Sequence, residues 1–163
     1  MSTPQHRVRR ARFARETALA ALVAGAALAA IPAAAAEKDP VFTSRGNLAI
    51  RGYDPVAYFT EGKAVKGDKD FTLGWQGADW RFASAGNRDR FSEDPEKYAP
   101  QYGGYCAWAV SRNYTAPTDP DAFTLVDGKL YLNYNKRVMR QWLEDRDANI
   151  ESADKNWPTV LKE

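Results

Sequence analysis

The sequence is poor in the side chains that most catalytic and metal-binding sites require. Its 163 residues include one histidine, one cysteine and two methionines. Histidine is the general base of Ser-His-Asp and Cys-His sites and a common ligand in zinc, copper and haem centres. A single cysteine forms no intramolecular disulfide. Few catalytic mechanisms are therefore compatible with this composition.

The first 36 residues differ in composition from the rest of the chain. They contain five arginines, then an apolar, alanine-rich run from Ala18 to Ile31, and small residues at 34–36. A basic start, a short apolar run and an A-x-A end indicate a secretory signal peptide cleaved after Ala36. The run has 14 residues, whereas a membrane span needs roughly 20. We expect a periplasmic or secreted protein without a transmembrane segment in the mature chain, and the export route, Sec or twin-arginine, stays open.

Removal of this leader changes the charge of the protein. Residues 1–36 contain five of the 23 basic residues, one of the 21 acidic residues and the only histidine, His6. The mature chain is slightly acidic, with 18 basic and 20 acidic residues. No basic excess is left to bind a phosphate backbone. We therefore expect no nucleic-acid partner, no metal site and no cofactor.

The mature chain shows the pattern of an α+β fold in a small single domain. Two antiparallel hairpins are predicted, Phe71–Trp75 with Trp80–Phe82 and Phe123–Val126 with Leu130–Tyr134, the second around an Asp-Gly turn. Several short helices are predicted from capping residues and prolines at their starts. These starts are Asp54, Ser84, Pro95, Asn135 and a last one near Asn149.

The domain boundaries follow from the same pattern. Residues 37–49 are interpreted as an N-terminal tether and residues 50–163 as the domain, with a C-terminal helical extension. The run Ala107–Val110 fits either a helix or a buried strand, and the composition of residues 111–122 predicts a loop. We find no internal repeat in the sequence.

Three segments carry the pattern of a known family. They are Asp54-Pro55-Val56, the hairpin end at residues 80–84, and the spacing of a Phe, a Pro and a Tyr at positions 91, 95 and 98. Together these segments resemble the YHS domain, a small module often found beside heavy-metal-handling proteins. Later features, among them residues 103–106 and 156–158, resemble an exported bacterial subgroup that is related to YHS-domain selenoproteins.

The resemblance also shows which side chains are missing. The YHS pattern places cysteine or histidine at three positions that carry Ala57, Ala83 and Asn87 in this chain. Two methyl groups and an amide do not form a thiolate or imidazole site. The resemblance thus implies a YHS-like core in which the metal-ligand positions are replaced. It implies an accessory role linked to metal or redox homeostasis.

Cys106 is the one side chain with intrinsic reactivity. The two glycines before it can deliver the thiol to the first turn of a helix, where a thiolate is favoured. The alternative is a buried structural thiol, because cysteine is among the most buried residue types. No second cysteine resolves a sulfenic acid, so a redox cycle would require an external thiol.

The aromatic residues around Cys106 suggest a ligand-binding cleft. Its candidate lining residues are Tyr102, Tyr105, Trp108 and Tyr114. The sequence favours a non-catalytic binding or accessory module over an enzyme, with an unidentified ligand or protein partner. The alternative is a thiol-based redox protein that uses Cys106.

Overall fold

The computed structural model describes residues 37–162, and the predicted signal peptide lies outside the described residues. Short helices and small sheets alternate along the chain, which confirms the predicted α+β class. The strands are β1 (Thr43–Ser44), β2 (Leu48–Ala49), β3 (Asp68–Trp75), β4 (Ala78–Phe82), β5 (Asp119–Val126) and β6 (Lys129–Asn133). The α-helices are α1 (Ala57–Thr60), α2 (Ala85–Glu93), α3 (Pro95–Tyr98), α4 (Ala107–Val110), α5 (Lys136–Glu144) and α6 (Arg146–Asn156).

Both predicted hairpins are present. One sheet has the strand order β1-β2-β4-β3, in which β2 and β4 are parallel, and β5 pairs with β6 in a second sheet. Each hairpin turns through two residues with positive φ, Gln76-Gly77 and Asp127-Gly128, as a type I′ turn requires. The first turn was predicted over residues 76–79. In the structure it has only two residues, Gln76 and Gly77, because β4 already begins at Ala78. Strand β5 likewise begins at Asp119, inside the predicted loop.

Side-chain caps start the nine-residue helices where the sequence places them. The Ser84 hydroxyl accepts the Asn87 N–H before α2, and the Asn135 side chain accepts the Val138 N–H before α5. The run 107–110 is a one-turn helix rather than a strand. The last helix begins at Arg146, earlier than predicted, and the buried Asn149 lies inside it, where its amide donates to the Trp142 carbonyl.

The segment predicted as a tether is part of the folded chain. It forms β1 and β2, buries Val41, and donates the Phe42 N–H to the Gly103 carbonyl at 2.9 Å. Strand β2 joins the first sheet through Leu48, which pairs with Asp79 of β4, and the Phe42 ring packs against Tyr105 at 5.5 Å between ring centroids. The fold thus begins before residue 50.

Gly103 allows this close approach, and its replacement tests it. Its φ is +59°, and a Cβ at this position would overlap the Pro40 carbonyl oxygen. We expect Gly103→Ala to lower the free energy of unfolding by about 3 kcal/mol or more, measured by urea denaturation. Gly46→Ala is the control, because Gly46 has φ +77° and open space around it. It should cost only about 1–2 kcal/mol, and equal losses for the two variants would contradict the contact.

The structure contains an internal repeat, so the interpretation that the chain has none was wrong. Strands β3 and β4 and helix α2 correspond to β5, β6 and α5, and all three pairs have equal lengths and equal spacing along the chain. The strand registers also agree, with the same irregularity at Asp68/Thr72 and at Asp119/Phe123. We call residues 50–98 the first repeat and residues 102–156 the second repeat.

Equivalent contacts stabilise the two repeats. An aromatic pair joins hairpin to helix in each, Trp80 with Phe91 at 5.0 Å between ring centroids and Tyr131 with Trp142 at 5.3 Å. The ring planes meet at 32° and 35°, respectively. These positions differ in residue type but agree in size and chemical character, which explains why the sequence hides the repeat.

The buried side chains form two clusters, one associated with each hairpin. Strand β6 contributes to both, because Leu130 and Leu132 belong to the first cluster while Tyr131 belongs to the second. Alternate residues of a strand point to opposite faces, so β6 is covered on both sides. Within residues 37–162, no helix combines the length and the apolar character needed to span a membrane.

Candidate functional site

Asp54 and Cys106 occupy equivalent positions in the two repeats. Each directly follows a Gly-Tyr pair. The glycine of the pair is the last of three consecutive residues with positive φ, 50–52 in the first repeat and 102–104 in the second. Each also donates its backbone N–H across the repeat, Asp54 to the Val65 carbonyl at 2.8 Å and Cys106 to the Ala116 carbonyl at 3.0 Å. Cys106 is therefore the counterpart of Asp54.

The Asp54 carboxylate is completely buried and accepts four hydrogen bonds. Its Oδ1 accepts the N–H groups of Val56 at 2.8 Å and Ala57 at 3.4 Å. Its Oδ2 accepts the Ala83 N–H at 2.8 Å and the Asn87 side-chain amide at 2.7 Å. Such donors replace the water that a buried carboxylate loses. Helix α1 begins at Ala57 with Val56 at its N-cap position, later than predicted, so Asp54 accepts N–H groups beside the helix start without being its cap residue.

Ala57, Ala83 and Asn87, which the sequence resemblance placed at metal-ligand positions, meet at this carboxylate. Ala57 and Ala83 offer only backbone N–H groups, and Asn87 turns its amide N–H toward Asp54. All three are donors, and a cation needs lone pairs directed at it. Over residues 37–162 no three His, Cys, Asp or Glu side chains are grouped as a metal site would require. The residues present around Asp54 therefore do not fit a soft metal ion.

The Cys106 thiol is buried and faces the equivalent backbone N–H groups. Its side chain is 1% exposed, and Sγ accepts the Tyr134 N–H at 3.2 Å. Burial raises the pKa of the thiol, while N–H groups of Ala109, Tyr134 and Trp108 act in the opposite direction. The net rise is opposite to the predicted stabilisation of a thiolate. Helix α4 has only four residues, and its short dipole does not offset the burial.

Asn133 lies against the thiol and was not recognised from the sequence. It is completely buried, and its Oδ1 lies 3.7 Å from Cys106 Sγ while accepting the Trp108 N–H at 3.1 Å. Its amide nitrogen has no hydrogen-bond partner in the part of the chain that the structure describes. Asn133 ends β6 directly after three buried residues, Leu130, Tyr131 and Leu132, and this unusual position for an amide was the available signal.

Cys106 forms the inner end of a cavity of about 250 Å³. The wall is apolar and aromatic, and two exposed tyrosines, Tyr114 at 48% and Tyr134 at 53%, stand at its rim. The Arg112 guanidinium covers the ring of Trp108 at 3.2 Å from the ring centroid. The lining residues are Cys106, Trp108, Tyr114, Ala116, Tyr134 and Val138. We call this cavity the Cys106 pocket.

The four aromatic residues predicted to form one cleft are divided by the structure. Trp108 and Tyr114 line the Cys106 pocket, whereas Tyr102 and Tyr105 are buried elsewhere, in the second core cluster. Tyr102 donates to Asp154 at 2.8 Å and Tyr105 donates to the Asp39 carbonyl at 3.0 Å. Tyr102 lies in the left-handed turn at residues 102–104 and Tyr105 directly follows it, whereas Trp108 lies in helix α4.

Three lining residues were missed in the sequence: Ala116, and the pair Tyr134 and Val138. Tyr134 immediately follows β6, and Val138 lies in the first turn of α5. Tyr134 and Val138 occupy the same places in the second repeat as Ala83 and Asn87 do in the first. Recognition of the repeat would have identified both residues.

Comparison with known proteins finds one family model that matches part of the chain. The YHS domain model matches residues 56–102. This range covers most of the first repeat and ends where the second begins, and the YHS domain is associated with metal binding. No curated protein and no solved structure matches the chain.

Proposed function

We propose that this protein is an exported, non-catalytic binding module that holds a small apolar or aromatic ligand in the Cys106 pocket. The pocket itself carries the proposal, because it is concave, apolar and open between two exposed tyrosines. An apolar cavity of about 150 Å³ already admits benzene. The Cys106 pocket therefore suits a ligand of about one or two aromatic rings.

The YHS match supports an accessory role. The surroundings of Asp54 do not provide a ligand-binding site for this role. In the first repeat the expected ligand positions stabilise a buried carboxylate through hydrogen bonds. The equivalent place in the second repeat has a cavity instead. We therefore assign ligand binding to the second repeat. A periplasmic protein of this kind, akin to the YHS selenoproteins, would act in metal or redox homeostasis through its ligand or a protein partner.

Ligand binding is tested by filling the pocket. Ala116 lines the cavity, so a phenyl ring at this position takes the space of the ligand. With indole as the probe, we expect Ala116→Phe to weaken binding at least about tenfold, a loss of roughly 1.4 kcal/mol, in an isothermal titration. Leu125→Phe, on an exposed strand position outside the pocket, is the control and should bind as the wild type does. Equal affinity of both variants, or no indole binding by the wild type, would contradict the proposal.

The second candidate function is a thiol-based redox role of Cys106. The observation that favours it is the position of the thiol at the inner end of a cavity that is open to solvent. The full chain contains no other cysteine, so each cycle would use an external thiol.

Thiol titration distinguishes an accessible thiol from a sealed one. Because burial raises the pKa of Cys106, less thiolate is present at each pH than in an unfolded chain. We expect a small maleimide to modify the folded protein at least about tenfold more slowly at pH 7 than the urea-unfolded protein. The rate for the folded protein should continue to rise above pH 9, where that of an ordinary cysteine levels off. Complete protection at high pH would exclude the redox role, and equal rates at pH 7 would contradict the effect of burial.

A further inference from the structure

We propose that Cys106 is an oxidation site for a peroxide, and that its sulfinate product occupies the place that the Asp54 carboxylate occupies in the first repeat. The proposal shares with the second candidate function only the reactivity of the Cys106 thiol, because an external thiol does not reduce a sulfinate and the oxidation therefore ends there. It adds this end state and the groups that bind the product.

The first repeat shows that this arrangement of N–H groups binds a buried anion. Val56 and Ala57 donate to one oxygen of Asp54, and Ala83 donates to the other. In the second repeat the same backbone positions are those of Trp108, Ala109 and Tyr134. All three of these N–H groups face Cys106. The second repeat thus has the donors for an anion at a position that carries a neutral thiol.

A cysteine sulfinate resembles the aspartate side chain. Each has one methylene group that bears an anionic centre with two oxygens, whereas a thiol offers one weak acceptor atom. The reduced site shows the consequence of this difference. Val56 donates to Asp54 at 2.8 Å, but its counterpart Trp108 donates to the Asn133 side chain at 3.1 Å. A sulfinate oxygen would provide Trp108 with the acceptor that Asp54 provides to Val56.

Asn133 supplies an independent observation that points to a further acceptor at this site. It is fully buried against Cys106, and its amide nitrogen has no partner among residues 37–162. A buried donor without a partner costs about 1–3 kcal/mol in a folded protein. Once Trp108 donates to a sulfinate oxygen, the Asn133 amide is free to turn and donate to the same group. Asn87, although its counterpart in the second repeat is Val138, donates a side-chain amide bond of this kind to Asp54 at 2.7 Å.

The reaction proceeds in two balanced steps. The sulfur attacks one peroxide oxygen, the O–O bond breaks, and the thiol proton leaves with the other oxygen as water, which gives a sulfenic acid. A second peroxide oxidises the sulfur again in the same way, releases a second water and leaves a sulfinate after loss of a proton to solvent. The sulfur loses two electrons to peroxide in each step. Because the sequence has no second cysteine, no internal disulfide competes with the second step.

The binding of an anion is tested without any oxidation, by replacing Cys106 with aspartate in the full mature chain. We expect the melting temperature of Cys106→Asp to stay within about 4 °C of the wild type, although the position is buried. Ala107→Asp is the matched control, because Ala107 is equally buried, one residue further on, within an apolar cluster. It should unfold the protein or lower the melting temperature by at least about 15 °C. A loss for Cys106→Asp as large as that of the control would overturn the proposal.

The oxidation itself is tested with hydrogen peroxide and mass spectrometry. We expect Cys106 to gain two oxygen atoms and then stop, while the melting temperature stays equal to or above that of the untreated protein. An unmodified thiol, a third added oxygen or unfolding of the oxidised protein would overturn the proposal. Indole binding by untreated protein is measured in parallel, so failure of the ligand-binding proposal is recorded separately.

Discussion

Replacing Asp54 with alanine is expected to lower the free energy of unfolding by about 4 kcal/mol, because the buried donors around it lose their acceptor. The backbone N–H groups of Val56, Ala57 and Ala83 would then be buried without a partner. Each such group costs about 1–3 kcal/mol, and neighbouring losses are not additive. A domain of this size has a total stability of about 5–15 kcal/mol, so the variant retains little stability. Urea denaturation measures the effect.

Asn87→Ala is the matched variant for this experiment. It removes one donor at 2.7 Å but leaves the carboxylate with its three backbone N–H groups. We expect a smaller loss, about 1–2 kcal/mol. If Asp54→Ala is too unstable to purify, Asn87→Ala still reports on the network. Equal stability of Asp54→Ala and the wild type would show that the carboxylate does not hold the first repeat together.

The two helix anchors give the second large effect. Phe91 and Trp142 are completely buried at equivalent positions of the two repeats. Each joins a nine-residue helix to its hairpin through an aromatic contact. We expect Phe91→Ala and Trp142→Ala each to lower the free energy of unfolding by about 3–5 kcal/mol, through lost burial and an unfilled cavity.

The neighbouring positions on the same helices provide the controls. Ser92 and Leu143 are exposed residues that directly follow the two anchors. Ser92→Ala and Leu143→Ala should change stability by less than about 1 kcal/mol. A variant of either anchor that unfolds at the wild-type urea concentration would mean that the corresponding helix is not anchored through its aromatic residue. The two repeats would then share their backbone arrangement but differ in how the side chains hold the helix to the hairpin.

The sequence was informative where the structure depends on contacts between residues close in the chain. The Asp-Gly turn, the Ser84 cap and the Asn135 cap were all predicted, because turn and cap preferences act over two or three residues. Local preferences did not indicate that residues 37–49 pair with the first sheet, or that Tyr102 and Tyr105 lie apart from the Cys106 pocket. Both depend on Gly103, whose carbonyl accepts from Phe42 and whose positive φ reverses the chain.

The repeat was hidden because its equivalences are chemical and seldom identities. Serine and asparagine cap the equivalent helices, and tryptophan stands where the first repeat has phenylalanine. The site was partly foreseen in Cys106, Trp108 and Tyr114. Its remaining features depend on long-range contacts, such as that between Cys106 and Asn133. The donors of Asp54 show the same limit, since Ala83 and Asn87 lie 29 and 33 residues away from it in the chain.

The equivalence of Cys106 and Asp54 is the central claim, and a crystal structure of the peroxide-treated protein tests it most directly. The account predicts two oxygens on Sγ that accept the N–H groups of Trp108, Ala109 and Tyr134, with the Asn133 amide turned toward one of them. The unmodified thiol at full occupancy, or sulfur oxygens directed away from these N–H groups, would contradict it.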